Sequence, residues 1–195
     1  MSATTWSVLD QAHEALRATV RGVAAGDWDK PSPCEGWTVT QVLQHAAGDQ
    51  LGYASSITGG PGPSEDPFAP SGRLADPAET VAETAMRASA AAWATVPPDA
   101  SQVAVPVPPG KLPADVGAGA CALDAAVHAW DIAVATGQPS PLTNGLAREL
   151  LTVARQIVEP LRSYGAYAPA LPAQDGDDDV AVLLRYLGRR PDWSA

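Results

Sequence analysis

Asp124 and His128 stand four residues apart in a stretch that reads as helix, so both side chains leave one face about a turn from each other. His45 and Asp49 repeat that spacing on an earlier segment. Across a bundle, the two segments can converge on one ion. Two imidazoles and one carboxylate, from His45, His128 and Asp124, suit a divalent metal, with zinc the first choice. Three protein ligands leave a coordination position for water or substrate. Nickel, iron(II) and manganese accept the same donors, and geometry decides among them. The plain alternative for an Asp and a His at this spacing is a hydrogen-bonded couple with no ion.

Projected on a helical wheel, the segment around Asp124 is apolar nearly all round. Leu123, Val127, Trp130 and Val134 make one face, and Cys121, Asp124, His128 and Asp131 form a polar strip beside it. A helix of that composition is normally buried, and an unpaired carboxylate or imidazole inside a protein costs several kcal/mol. The strip therefore needs partners. Asp49 and Asp131 are candidates for orienting the ligands, although structural roles such as helix capping suit them as well. His13 lies on an apolar stripe and reads as a core histidine with a neighbouring partner, or as a group near the metal. Cys34 and Cys121 are most simply inert, buried thiols, with a reactive role as the alternative. Trp37 and Trp130 read as core or pocket-wall aromatics. Arg189 and Arg190 can meet a carboxylate or simply favour a helix end.

Six helical segments position these groups. Trp6, Leu9, His13, Leu16, Val20 and Val23 keep a three-four spacing, which predicts a first helix to about Ala25. Thr38, with Gln41 three residues on, has the form of a capping box and opens a second helix reaching about Ile57. Residues 59–77 are rich in proline and glycine and read as a long, mobile loop without core that can border a pocket. A third helix is expected from about Pro77 to Val96. Gln102 to Val107 alternates like a short extended or hairpin excursion. A fourth helix covers about Ala114 to Thr136, with Gly137 as its terminator, and a fifth covers about Thr143 to Leu161. The acidic cluster Asp175 to Asp179 starts a last short helix through Leu187. The expected architecture is all-α: a four-helix bundle with an additional C-terminal helix and a short extended excursion, in one domain spanning 1–195.

Composition narrows the function classes. The formal charge is −10 and the isoelectric point is near 4.5, without a run of Lys or Arg, so nucleic acid is not expected as a partner. The start of the chain lacks the features of a secretory signal, and no segment reads as a membrane span, which points to the cytoplasm. Two cysteines are too few for a disulfide framework and are expected to be free thiols. Oligomeric state does not follow from the sequence.

The run Pro33-Cys34-Glu35-Gly36-Trp37-Thr38-Val39 leads to His45. The later run from Leu123 through Asp124, His128, Trp130 and Asp131 to Ala133 is followed by Ala135-Thr136-Gly137-Gln138. Together with the ending Leu187-Gly188-Arg189-Arg190-Pro191 and Trp193, these runs resemble the actinobacterial branch of the DinB-like, mycothiol-dependent maleylpyruvate isomerase superfamily. The resemblance implies a DinB-like four-helix bundle and assigns three metal ligands to His45, Asp124 and His128. Many relatives carry Glu where this chain has Asp124, which is one methylene shorter, so direct ligation calls for a slight helix shift or a bridging water. The resemblance also implies a low-molecular-weight thiol, mycothiol, as cosubstrate, with the metal binding it as thiolate. The expected activity is S-transfer to, or isomerisation of, a small electrophile. A thiol-independent Lewis-acid enzyme of secondary metabolism and a non-catalytic metal- or ligand-binding protein are the alternatives on the same scaffold.

Overall fold

The computed structural model describes residues 6–194. Helix α1 (Ser7–Gly22) buries Leu9, Ala12, His13, Leu16 and Val20, and ends where Val23 turns extended, earlier than the apolar spacing predicts. Helix α2 (Val39–Thr58) begins at the predicted capping box: the Thr38 hydroxyl accepts from the Gln41 amide, and the Gln41 side chain returns the bond to the Thr38 amide. Such a box satisfies two amide donors that the helix itself leaves free, and a lost N-cap costs about 1 kcal/mol. Helix α3 (Ala78–Trp93) starts after Pro77 and is shorter than expected at its C-terminal end. The extended excursion is a hairpin in which β1 (Val103–Ala104) pairs antiparallel with β2 (Lys111–Leu112).

Helix α4 (Ala114–Ala135) follows, and Gly137 just beyond it takes a left-handed φ of 74°. Helix α5 (Asn144–Arg162) is capped by the Thr143 hydroxyl, and α6 (Asp179–Tyr186) by the Asp178 carboxylate, which accepts from the Ala181 amide. The cluster predicted to start the last helix thus contains its cap.

Helices α1 to α4 form the bundle, with α1 and α2 each packed against both α3 and α4. Helix α5 lies against α4, and α6 against α5. Almost every residue of α4 is buried, because α1, α2 and α5 enclose it and its many alanines allow close approach. Leu9, Leu16, Leu43, Met86, Trp93, Leu123, Trp130, Ile132 and Leu150 fill the core between the helices. The fold is the all-α, DinB-like bundle that the sequence predicts. One expectation needs amending: α4 is long and apolar enough to cross a membrane, although 89% of its apolar window is buried inside this fold. Wrapping by three neighbours accounts for its composition without any bilayer.

The segment 59–77 also departs from the expected loose loop. Gln44 donates to the Arg73 carbonyl (2.9 Å) and the Ser71 hydroxyl (3.0 Å), and accepts from the Gly72 amide (2.7 Å). Gln41 donates to the Pro70 carbonyl at 3.0 Å, and Pro70 itself is buried. Glutamines on successive turns of α2 stitch the segment down, which a composition rich in proline and glycine does not disclose.

Candidate metal centre

Helix α2 presents His45 and α4 presents Asp124 and His128 to a common point. Asp124 Oδ1 is 3.3 Å from His128 Nε2 and 3.5 Å from His45 Nε2, and one potential ligand atom from each of the three residues lies within 4.8 Å of the others. The side chains are only about a tenth exposed. The shorter aspartate arm therefore reaches both imidazoles.

The other ring nitrogen of each histidine decides what faces that point. His45 Nδ1 lies 2.9 Å from the Pro67 carbonyl, which can only accept, so Nδ1 carries the proton. His128 Nδ1 lies 2.9 Å from Asp131 Oδ2, and the ionised Asp131 carboxylate likewise only accepts. In the neutral rings both Nε2 atoms then carry lone pairs, and they point at a third acceptor, the Asp124 carboxylate. The second Asp124 oxygen, Oδ2, is buried without any hydrogen-bond partner. Such an excess of acceptors calls for a cation or for protons.

Distance helps to separate the two. A charge-assisted hydrogen bond closes to about 2.7–2.9 Å, whereas ligands of a tetrahedral zinc with bonds of about 2.0–2.1 Å stand roughly 3.3 Å apart. The spacings of 3.3 and 3.5 Å match ligand-to-ligand contact better than hydrogen bonding. The donor set and its orphaned oxygen fit a divalent cation.

The electrostatics follow from the same crowding. Burial alone raises the Asp124 carboxyl, but the His128 and His45 imidazoles outweigh it and hold the group well below the usual carboxylate range. Burial lowers both imidazoles, and Asp124 more than reverses this, with Asp131 adding to the rise at His128. Asp49 Oδ2 sits 4.0 Å from His45 Nε2, and burial together with the Asp124 charge pushes its carboxyl up to about 7.

Asp131 is fully buried and forms a two-point ion pair with Arg189, whose Nε and Nη2 donate at 2.9 and 2.8 Å. Burial would raise Asp131, but Arg189 and His128 hold it low. Asp131 therefore orients His128 while Arg189 keeps it charged. Cys34 Sγ completes this corner, 3.2 Å from Asp131 Oδ2 and 3.8 Å from His128 Nδ1. It is carried there by the tight 31–38 turn, in which the Trp37 amide bonds to the Cys34 carbonyl and the Ser32 amide to the Trp37 carbonyl. The Trp37 ring lies 5.1 Å from the His45 ring, and Phe68, an exposed aromatic, lies 5.3 Å from it on the segment 59–77.

Among the sequence candidates, the fold thus gathers His45, Asp49, Asp124, His128, Asp131, Trp37 and Cys34. It does not bring His13 and Cys121 to that point. Cys121 lies on the turn of α4 before Asp124 and meets Gln50 and Ser89, at 3.1 and 3.3 Å. His13 meets Gln50 at 2.8 Å. The polar strip on α4 is therefore split between two clusters. Arg189 lies at the site instead of an exposed helix end, and the buried Asp131, which needs a cation, was the signal for it. The Pro67 carbonyl and Phe68 had no signal in the residue pattern, because a backbone acceptor and a loop ring are placed only by the path of the chain.

Comparison with known proteins agrees with this arrangement. The family model described as mycothiol maleylpyruvate isomerase N-terminal domain matches residues 9–133. Uncharacterized proteins from two strains of Mycobacterium tuberculosis, CDC 1551 / Oshkosh and ATCC 25618 / H37Rv, are each 33% identical over 184 residues, covering 92% of this chain and 94% of their own. The crystal structure of a histidine-to-alanine mutant of mycothiol-dependent maleylpyruvate isomerase superposes with a TM-score of 0.63 at 17% identity, covering 95% of this chain and 90% of that one. At that identity, the likeness speaks for the fold. With the family model matching from α1 nearly to the end of α4, and so across all three converging side chains, the chain belongs to the mycothiol maleylpyruvate isomerase N-terminal domain family.

Proposed function

We propose that the protein is a metal-dependent enzyme of thiol chemistry, a mycothiol-dependent S-transferase or isomerase acting on a small electrophile. The observation that carries this reading is the convergence of His45 Nε2, His128 Nε2 and Asp124 Oδ1 with the second Asp124 oxygen left unpartnered. Membership of the family supports mycothiol as the thiol. Zinc is the preferred metal for two imidazoles and a carboxylate. When bound, a divalent cation favours a thiol in its thiolate form and so supplies the nucleophile.

His45, Asp124 and His128 hold that cation, and the Asp131–Arg189 pair keeps His128 in its ligating tautomer. Asp49 places an acceptor oxygen beside the ligands, where a proton released by a thiol can be received. Trp37 and Phe68 flank His45 and form apolar walls that favour a small electrophile over water. Sulfur attack that displaces a leaving group completes a transfer. Addition to a conjugated alkene, rotation and departure of the same sulfur complete an isomerisation. Cys34 and Cys121 are both free thiols.

Thiol consumption measured with a panel of electrophiles, for zinc-loaded and chelator-treated protein, tests this reading. Turnover that needs both zinc and mycothiol is expected. Turnover that proceeds without thiol, or its absence with every thiol and electrophile offered, overturns it.

A further inference from the structure

The two metal-facing histidines are prepared in different ways. His128 is set by a buried carboxylate on its own helix, itself tied to Arg189. His45 is set by a backbone carbonyl, that of Pro67, on the segment 59–77. That carbonyl is in place because the segment is fastened to α2 before and after Pro67, with Gln44 Nε2 also 3.3 Å from Glu65 Oε2. Beside it, Asp66 forms a turn in which its side chain accepts from the Phe68 amide at 2.9 Å and its carbonyl from the Ala69 amide at 3.0 Å. Further along, Gln41 and Gln44 clamp Pro70, Ser71, Gly72 and Arg73. Beneath Pro67 the helix offers Gly48, where a Cβ would stand 2.8 Å from Pro67 Cγ and 3.0 Å from its Cβ. Any larger residue there would lift the Pro67 ring. A glycine inside a helix costs about 1 kcal/mol relative to alanine, so local helix stability does not favour its presence. The close seat of Pro67 accounts for it.

We infer that residues 59–77 act as a clasp that prepares His45: the Pro67 carbonyl, seated on Gly48 and held down by Gln44, fixes the Nδ1–H of His45 so that Nε2 faces the ion. Gly48 and Gln44 are then positioning residues for a metal that neither touches. This inference rests on the metal reading above, and adds that one of its ligands is set by a segment outside the helices. The clasp also carries Phe68 against the His45 ring, so the same seating that prepares the ligand builds one wall of the approach.

Gly48→Ala and Gln44→Ala test this with two readouts. In metal-free protein, the His45 Nδ1–H should give a hydrogen-bonded, slowly exchanging NMR signal that is lost in both variants. Zinc affinity, measured by competition with a chelator, should fall about tenfold or more in both, the size expected when a ligand loses its supporting hydrogen bond. Gln44 is a surface-facing side chain, so its variant decides the matter if Gly48→Ala fails to fold. Zinc affinity equal to wild type in both variants, or a retained Nδ1–H signal in both, overturns the clasp. Wild-type protein that takes up no zinc overturns the metal reading itself, a result distinct from one in which wild type and both variants bind zinc alike.

Discussion

Two clusters of polar side chains sit in the bundle, each with a histidine and with members on α2 and α4, and only one has the makings of a site. In the lower cluster, His13 shares a hydrogen bond with Gln50 Oε1, Gln50 Nε2 donates to the Cys121 carbonyl, and Cys121 Sγ meets Gln50 and Ser89. The groups are neutral, burial pushes the Cys121 thiol up to about 12, and each named side chain has a partner. In the upper cluster, two imidazoles with their Nδ1 protons already committed face a carboxylate, and one carboxylate oxygen has no partner. A histidine and a cysteine on a buried helix face therefore say little by themselves. What separates a structural network from a candidate site is whether donors and acceptors balance, because only an unbalanced set has affinity left for an ion.

The sharpest way to break this contrast is His128→Ala. Elemental analysis of the purified variant should find the metal essentially gone, while wild-type protein carries about one equivalent; equal metal in both would reduce the upper cluster to another internal network. Next in size is Arg189→Ala, which leaves Asp131 buried without its cation. Stripping one partner from a buried ion pair costs about 3–5 kcal/mol, so chemical denaturation should show a large loss of stability in metal-free protein. A change below about 1 kcal/mol would mean that Asp131 is held by something other than Arg189.

The lower cluster should respond in the opposite sense. Gln50→Leu leaves His13 and Cys121 without their shared partner and should cost about 1–3 kcal/mol of stability, with zinc affinity unchanged. A parallel fall in zinc affinity would show that the two clusters are one unit. The smallest effect is pH dependence from His13. Burial lowers its imidazole from the ordinary value near 6.5, with the Gln50 hydrogen bond opposing in part. The folded state therefore binds this proton less readily than the unfolded chain. Its contribution is full above about 6.5 and is lost as pH falls below that value, with a slope of at most about 1.4 kcal/mol per pH unit. Urea titrations of metal-free protein between pH 7.5 and 5, compared with a His13→Asn variant, should show a shallower acid decline in the variant.

Much of the fold can be read along the chain because its determinants are local. Thr38 with Gln41, Thr143 before α5, Asp178 before α6 and Gly137 after α4 are signals a few residues wide, and each marks its helix end in the structure. Ends without such a signal drifted, as at Val23, where the apolar spacing runs on but the backbone turns extended. The spacing of His45 with Asp49 and of Asp124 with His128 was equally legible, since helical geometry alone puts residues four apart on one face.

Which of those faces meet depends on how the helices cross, and no local rule contains that. Helix packing divided the α4 strip, sending Cys121 to Gln50 and Asp124 with His128 to His45. The return of the chain after α6 brought Arg189 to Asp131, across 58 residues of sequence. The path of residues 59–77 over α2 placed the Pro67 carbonyl on His45. The sequence by itself determined the helices, their caps and the stock of possible ligands, because these rest on short-range sterics and hydrogen bonding. Only the tertiary structure decided which acceptors are left unbalanced, because that balance is summed over groups from distant parts of the chain inside a space that excludes water.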